Sequence, residues 1–152
     1  MMDDIQSPPP TLRLASAADA DALAQLLGEL GYPAEARELP ARLDALEQHP
    51  GAVAFVAESG GRVVGVVTCH VIPAIHSTPP VAQLTALVVS ESARGRGVGR
   101  LLVARVEEWA AQRGAAKISL TSALRREAAH RFYEGIGYTR TGLRLAKDLT
   151  SS

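Results

Sequence analysis

The chain has 152 residues, with 16 Lys+Arg against 16 Asp+Glu, 47% apolar and 21% charged. That composition suits one globular domain with a real core and excludes a low-complexity chain. Balanced charge gives no global case for nucleic acid, no apolar run approaches the ~18 residues of a membrane span, and the lone Cys69 excludes an intrachain disulfide, which suits a reducing cytoplasm.

Residues 1–10 are acidic and then proline-rich, unlike a signal peptide, and are expected to form a disordered tail. Thr11 to Leu14 reads as a short strand. Asp19 opens a helix with Leu23, Leu26, Leu27 and Leu30 at helical spacing, ended by Gly31 and Pro33. A second helical stretch, Ala34 to Gln48, carries Leu39, Leu43 and Leu46, with Pro40 tolerated in a first turn. Ala52 to Ala57 and Val63 to Ile72 read as strands joined by the hairpin signal Glu58-Ser59-Gly60-Gly61-Arg62. Pro73 to Pro80 is expected to be a loop, and Val81 to Val89 a buried strand.

That strand leads into Arg94-Gly95-Arg96-Gly97-Val98-Gly99. A helix follows, with Val98, Leu101, Leu102, Val106 and Trp109 on one apolar face. A strand, a basic glycine-rich turn and a helix make an anion site. Glycine permits close backbone approach, the first helical N–H groups lack intrahelical partners, and the helix dipole favours negative charge there. Arg94, Arg96 and Arg100 add guanidinium groups suited to phosphate. The dinucleotide pattern G-x-G-x-x-G fails at Arg100, and no Gly-Lys-Ser/Thr follows for a P-loop.

Lys117 to Thr121 is a further strand and Arg125 to Ile136 a helix with Ala128, Ala129, Phe132 and Ile136 facing inward. Tyr138 to Thr141 and Arg144 to Leu149 read as a terminal strand pair. The order is β-α-α-β-β-β-α-β-α-β-β, an α/β (α+β layered) domain over residues 11–149 with short tails at 1–10 and 150–152. Its mostly antiparallel mixed central sheet would have about seven strands flanked by about four helices.

The pattern Arg94-x-x-Gly97-x-Gly99 resembles the pyrophosphate loop of the GNAT superfamily of N-acetyltransferases. Arg131-Phe132-Tyr133-Glu134-Gly135-Ile136-Gly137-Tyr138 is similar to that family's C-terminal aromatic-Tyr-Glu-x-x-Gly-aromatic segment, and the element order agrees. The resemblance implies an enzyme that moves an acetyl group from acetyl-CoA to a primary amine by direct transfer in a ternary complex. It implies that Arg94, Gly95, Arg96, Gly97, Val98, Gly99 and Arg100 hold the diphosphate. The backbone of Leu87, Val88 and Val89, in a splayed or bulged strand, would take the pantetheine arm and the acetyl carbonyl. Tyr133 would protonate the departing thiolate. A phenol is the weaker acid, so that transfer is uphill by about 2 kcal/mol for unperturbed groups. Many members carry an asparagine seven residues before the tyrosine. Here the position is Arg126, which either reaches a phosphate or faces solvent.

Glu29 and Tyr32 lie at the turn that lines the acceptor site in similar proteins. Glu29, Glu91, His70 and His76 are the candidates for a general base, with water-mediated deprotonation the alternative. Cys69 reads as a packing residue, because its neighbour His70 points to the opposite face of a strand. The four histidines have no metal-ligand spacing. The expected partners are a small-molecule or peptide amine acceptor, without nucleic acid or membrane, and a second copy of the chain in a homodimer. The rival functions are a non-catalytic acyl-CoA-binding domain of the same fold and a nucleotide-binding module.

Overall fold

The computed structural model describes residues 8–121 and 127–150. The chain forms two compact units, residues 1–120 and 121–152. The first holds β1 (Thr11–Leu14), α1 (Ala20–Leu30), α2 (Leu39–Gln48), β2 (Ala52–Ser59), β3 (Arg62–Ala74), β4 (Ser77–Val89), α3 (Val98–Gln112) and β5 (Ile118–Leu120). The strands form one sheet in the order β1-β2-β3-β4-β5. The first four pair antiparallel, and β5 joins β4 in parallel through Ala82↔Ile118 to Leu84↔Leu120.

Local chemistry accounts for most element boundaries. A capping box starts the turn that enters α1. The Ser16 N–H donates to Asp19 Oδ2 at 2.8 Å, satisfying a donor that the helix start leaves without a partner. Pro40 lies in the first turn of α2, where its missing N–H costs nothing. The β2–β3 hairpin turns through Gly60 and Gly61, with φ of 61° and 79°, the two left-handed positions a two-residue hairpin needs.

The expected loop from Pro73 to Pro80 is a correction. The β3–β4 ladder continues to Ala74↔Ser77 and turns at Ile75 and His76. The register shifts between Ile72 and Ala74, setting Pro73 opposite Thr78, Pro79 and Pro80. The proline nitrogens, which cannot donate, thus fall in an irregularity of the ladder.

The sheet has two dressed faces. On one, Leu23, Leu26 and Leu39 of α1 and α2 pack against Val56, Val66 and Val88. On the other, α3 buries Val98, Leu102, Val103, Val106, Trp109 and Ala110. Leu101, expected on that apolar stripe, is 43% exposed instead.

The second unit contains α4 (Glu127–Gly135). No residue of α4 is buried, and Ala128, expected to face inward, is exposed. The Tyr133 carbonyl accepts from the N–H groups of Ile136 and Tyr138 at 3.1 and 3.0 Å. The expected strand pair at 138–141 and 144–149 is absent, so the sheet has five strands rather than seven. A strand exists only with a partner for its N–H and C=O groups. Among the described residues this segment pairs with none, and Leu143, Leu145 and Leu149 are 85%, 89% and 92% exposed.

Candidate functional site

The turn between β4 and α3 is built to present N–H groups. Gly95 and Gly97 have φ of 83° and 79°, a left-handed conformation that costs a side-chain-bearing residue about 1 kcal/mol or more. The first bond of α3 runs from the Leu101 N–H to the Gly97 carbonyl at 3.1 Å. Among the described residues, the N–H groups from Gly95 to Arg100 make no hydrogen bond. Val98 at 1% exposure anchors the helix start, while Arg94, Arg96 and Arg100 remain exposed. Unpaired donors, a helix N-terminus and exposed guanidinium groups are a donor set that fits a diphosphate.

The adjoining strand supplies a second set of free backbone groups. The β3–β4 register shifts between Thr68↔Ala86 and Cys69↔Leu84, which leaves Thr85 as a one-residue bulge. On its other side β4 pairs with β5 only as far as Leu84. Among the described residues, β4 beyond the bulge therefore pairs with one strand only. The Ser90 N–H donates to the Val64 carbonyl at 2.8 Å. Antiparallel residues alternate between bonding their partner strand and pointing away from it. Hence Leu87 and Val89 direct their N–H and C=O groups to the open edge, whereas those of Val88 face β3.

Gly65 sets how closely α3 can approach this edge. A Cβ there would lie 2.9 Å from Leu102 Cδ1 and 3.2 Å from Val98 Cγ1. The turn and the open edge are thus packed against each other through a residue without a side chain. Sequence reasoning passed over Gly65, although an isolated glycine inside an apolar strand signals close approach.

Glu29 lies beside the start of the turn. Its Oε1 accepts from the Glu91 N–H at 3.2 Å and lies 3.7 Å from Arg94 Nη2. Arg94 Nε in turn donates to the Val89 carbonyl at 3.2 Å. The end of α1 is therefore tied to the start of the turn, and Arg94 lies along the open edge of β4. Tyr32 is 64% exposed. A broad cleft of about 1260 Å³ between α1, the β2–β3 turn and Ser90–Arg94 reaches the turn only at Arg94. Its charges are largely matched internally. Arg13 donates to both Asp19 oxygens at 2.9 and 2.8 Å and to Glu58 at 3.0 Å. The Arg13 bonds hold the Asp19 carboxyl below its ordinary value, against the opposing effect of burial.

The remaining predicted residues separate cleanly. In the second unit, Tyr133 stacks edge-on against Phe132 and Tyr138, with centroids 5.2 and 5.8 Å away. Arg126 lies outside the described residues. Cys69 is 1% exposed, and burial pushes its thiol up to about 11, so it packs rather than attacks. Among the described residues, no cluster of three His, Cys, Asp or Glu could hold a metal ion, and no helix is long and apolar enough to cross a membrane.

The chain resembles known proteins. Over 143 residues the chain is 32% identical to aminoalkylphosphonate N-acetyltransferase of Salmonella typhimurium, spanning 91% of this chain and 90% of that one. An acetyltransferase from Trypanosoma brucei superposes with a TM-score of 0.78 at 27% identity, over 93% of this chain and 100% of that one. An aminoglycoside N-acetyltransferase solved in complex with CoA reaches a TM-score of 0.83 over 94% and 95% of the two chains. Its 18% identity makes that a likeness of fold. The family profile described as acetyltransferase (GNAT) matches residues 20–138. With that match, and with a glycine-arginine turn leading out of a half-open strand, the chain belongs to the GNAT family of acetyltransferases.

Proposed function

We propose that this protein transfers the acetyl group of acetyl-CoA directly to the primary amine of a small acceptor, with residues 11–149 acting as one catalytic domain. The observation that carries the reading is the row of unpaired N–H groups from Gly95 to Arg100 beside exposed arginines. It adjoins the open edge at Leu87 and Val89, and both suit one elongated donor substrate. The turn binds the diphosphate. The edge of β4 takes the amide-bearing arm, and an N–H on it polarises the acetyl carbonyl as negative charge develops on oxygen. Holding amine and thioester in line supplies much of the rate. Tyr133 gives its phenolic proton to the departing sulfur. The acceptor of the Salmonella relative makes an aminoalkylphosphonate the first amine to try.

Thermal-shift titration with acetyl-CoA, ATP and NAD tests the donor, and selective stabilisation by either nucleotide would refute it. A panel of 2-aminoethylphosphonate, lysine, spermidine and kanamycin, read by mass detection of the acetylated product, identifies the acceptor. Tyr133→Phe is expected to lower kcat by about 10²-fold or more while acetyl-CoA affinity holds. An unchanged kcat would remove Tyr133 from the proton path.

A further inference from the structure

An amine is protonated in water near neutral pH and must lose a proton before it can attack. The open stretch of β4 offers no group to take it, since Val81 to Val89 contains no ionisable side chain. A side-chain base, as opposed to a water relay, would come from beside that strand. Its paired neighbour, β3, carries three ionisable residues, namely Arg62, Cys69 and His70. Arg62 sits at the hairpin turn, and Cys69 is buried.

The two faces beside the open edge are not equivalent. Gly65 touches α3, and alternation puts Val67 and Cys69 on that same face, where they are 0% and 1% exposed. On the opposite face α1 and α2 pack over Val56, Val66 and Val88, and Ala54, paired with Thr68, is also buried. The next residues along it are Thr68 and His70 on β3, with Thr85 and Gln83 on β4, and none of them is buried. The Thr68 and Thr85 hydroxyls lie 2.6 Å apart across the bulge. Among the described residues of the first unit, this face beside the edge is the less buried of the two.

We propose that His70 is the general base for the acceptor amine, which docks on the α1/α2 face of the sheet beside the Thr85 bulge. This rests on the acetyl-transfer reading above. Paired strands set His70 opposite Ala52 on one side and Gln83 on the other, so no charged residue faces it within the sheet. Of the helices over this face, α2 carries Arg42, Asp44 and Glu47, all exposed. On α1, Asp21 is exposed and Glu29 is engaged by Glu91 and Arg94. Nearby His49 uses Nδ1 to accept from the Gly51 N–H at 3.0 Å. Among the described residues the His70 imidazole makes no hydrogen bond or ion pair, which leaves a ring nitrogen available as acceptor.

The step balances as follows. His70 takes one proton from the ammonium and later returns it to solvent. The freed nitrogen pair forms the C–N bond to the acetyl carbon, and the C–S bond breaks with its electron pair on sulfur. The second nitrogen proton is matched by the one Tyr133 delivers to that sulfur and later recovers.

The test compares wild type with His70→Gln, using whichever amine of the panel above turns over fastest. In wild type, kcat/KM for the amine should fall on the acid side of its pH profile. In His70→Gln it should drop about 10²-fold or more near neutrality, and the acid limb should move up to the pH range of the amine's own ionisation. Acetyl-CoA affinity by calorimetry and Tm should stay unchanged, and added imidazole should restore part of the rate. An acid limb that stays where it is in His70→Gln, or one that moves in His76→Gln instead, overturns the assignment while acetyl transfer stands. Failure of the wild type to bind acetyl-CoA or to acetylate any amine of the panel overturns both.

Discussion

The two faces of the sheet are written in the same alternating strands and finish very differently. Under α3 the contacts are closed, with Leu102, Val67 and Val106 at 0% exposure and a glycine where a methyl group would collide. Under α1 and α2 the cover stops after Val66 and Val88, and threonine, histidine and glutamine follow where valine could have continued. The closed face holds the helix whose N-terminus carries the glycine-arginine turn. The other face keeps polar side chains part-exposed beside the bulge. Tight packing and partial exposure are thus divided between two sides of one layer.

That division can be broken most severely on the closed side. Leu102→Ala should cost about 2–5 kcal/mol, the range for a fully buried leucine, measured by urea unfolding. A loss below about 1 kcal/mol would mean that α3 is held by something other than this packing. Gly65→Ala comes next. Its Cβ must displace Leu102 or Val98, an overpacking worth about 1–3 kcal/mol. Because Val98 begins the helix, acetyl-CoA affinity should weaken as well. Loss of stability with unchanged affinity would separate the helix position from the turn.

The smallest effect is expected on the other side, at Asp19. The Arg13 guanidinium holds this carboxyl below its ordinary value of 3.8. A depressed value means that the contribution to stability is complete above the unfolded value and is lost as pH falls through the lower folded one. Asp19→Asn should therefore cost about 1 kcal/mol near neutrality, since Arg13 keeps partial access to water. It should also flatten the fall in stability below about pH 4. Equal slopes for the two proteins would show that Asp19 does not drive acid destabilisation.

Much of the fold was legible because its signals are local. Leucine spacing on α1, the Gly60-Gly61 hairpin and the strand–turn–helix around Gly97 each depend on a few adjacent residues. The misses depend on distant partners. Pro73 to Pro80 looked like a loop because proline cannot donate to a ladder, yet a register shift absorbs the prolines. Residues 138–149 alternate convincingly but have no ladder partner among the described residues. The contact of Glu29 with the Glu91 N–H, 62 positions away, is likewise set by distant partners and has no local signal.

What the chain's order of residues determined by itself was the anion-binding character of the turn. Glycines at left-handed positions and arginines beside a helix start act through their own backbone and charge, so they can be read without knowing what lies across from them. Only the tertiary structure decided that β4 parts from β5 after Leu84. Only the tertiary structure turned Leu87 and Val89 outward and set His70 on the uncovered face. Those facts belong to pairing register and to where a helix stops covering a sheet, and both are properties of two segments at once.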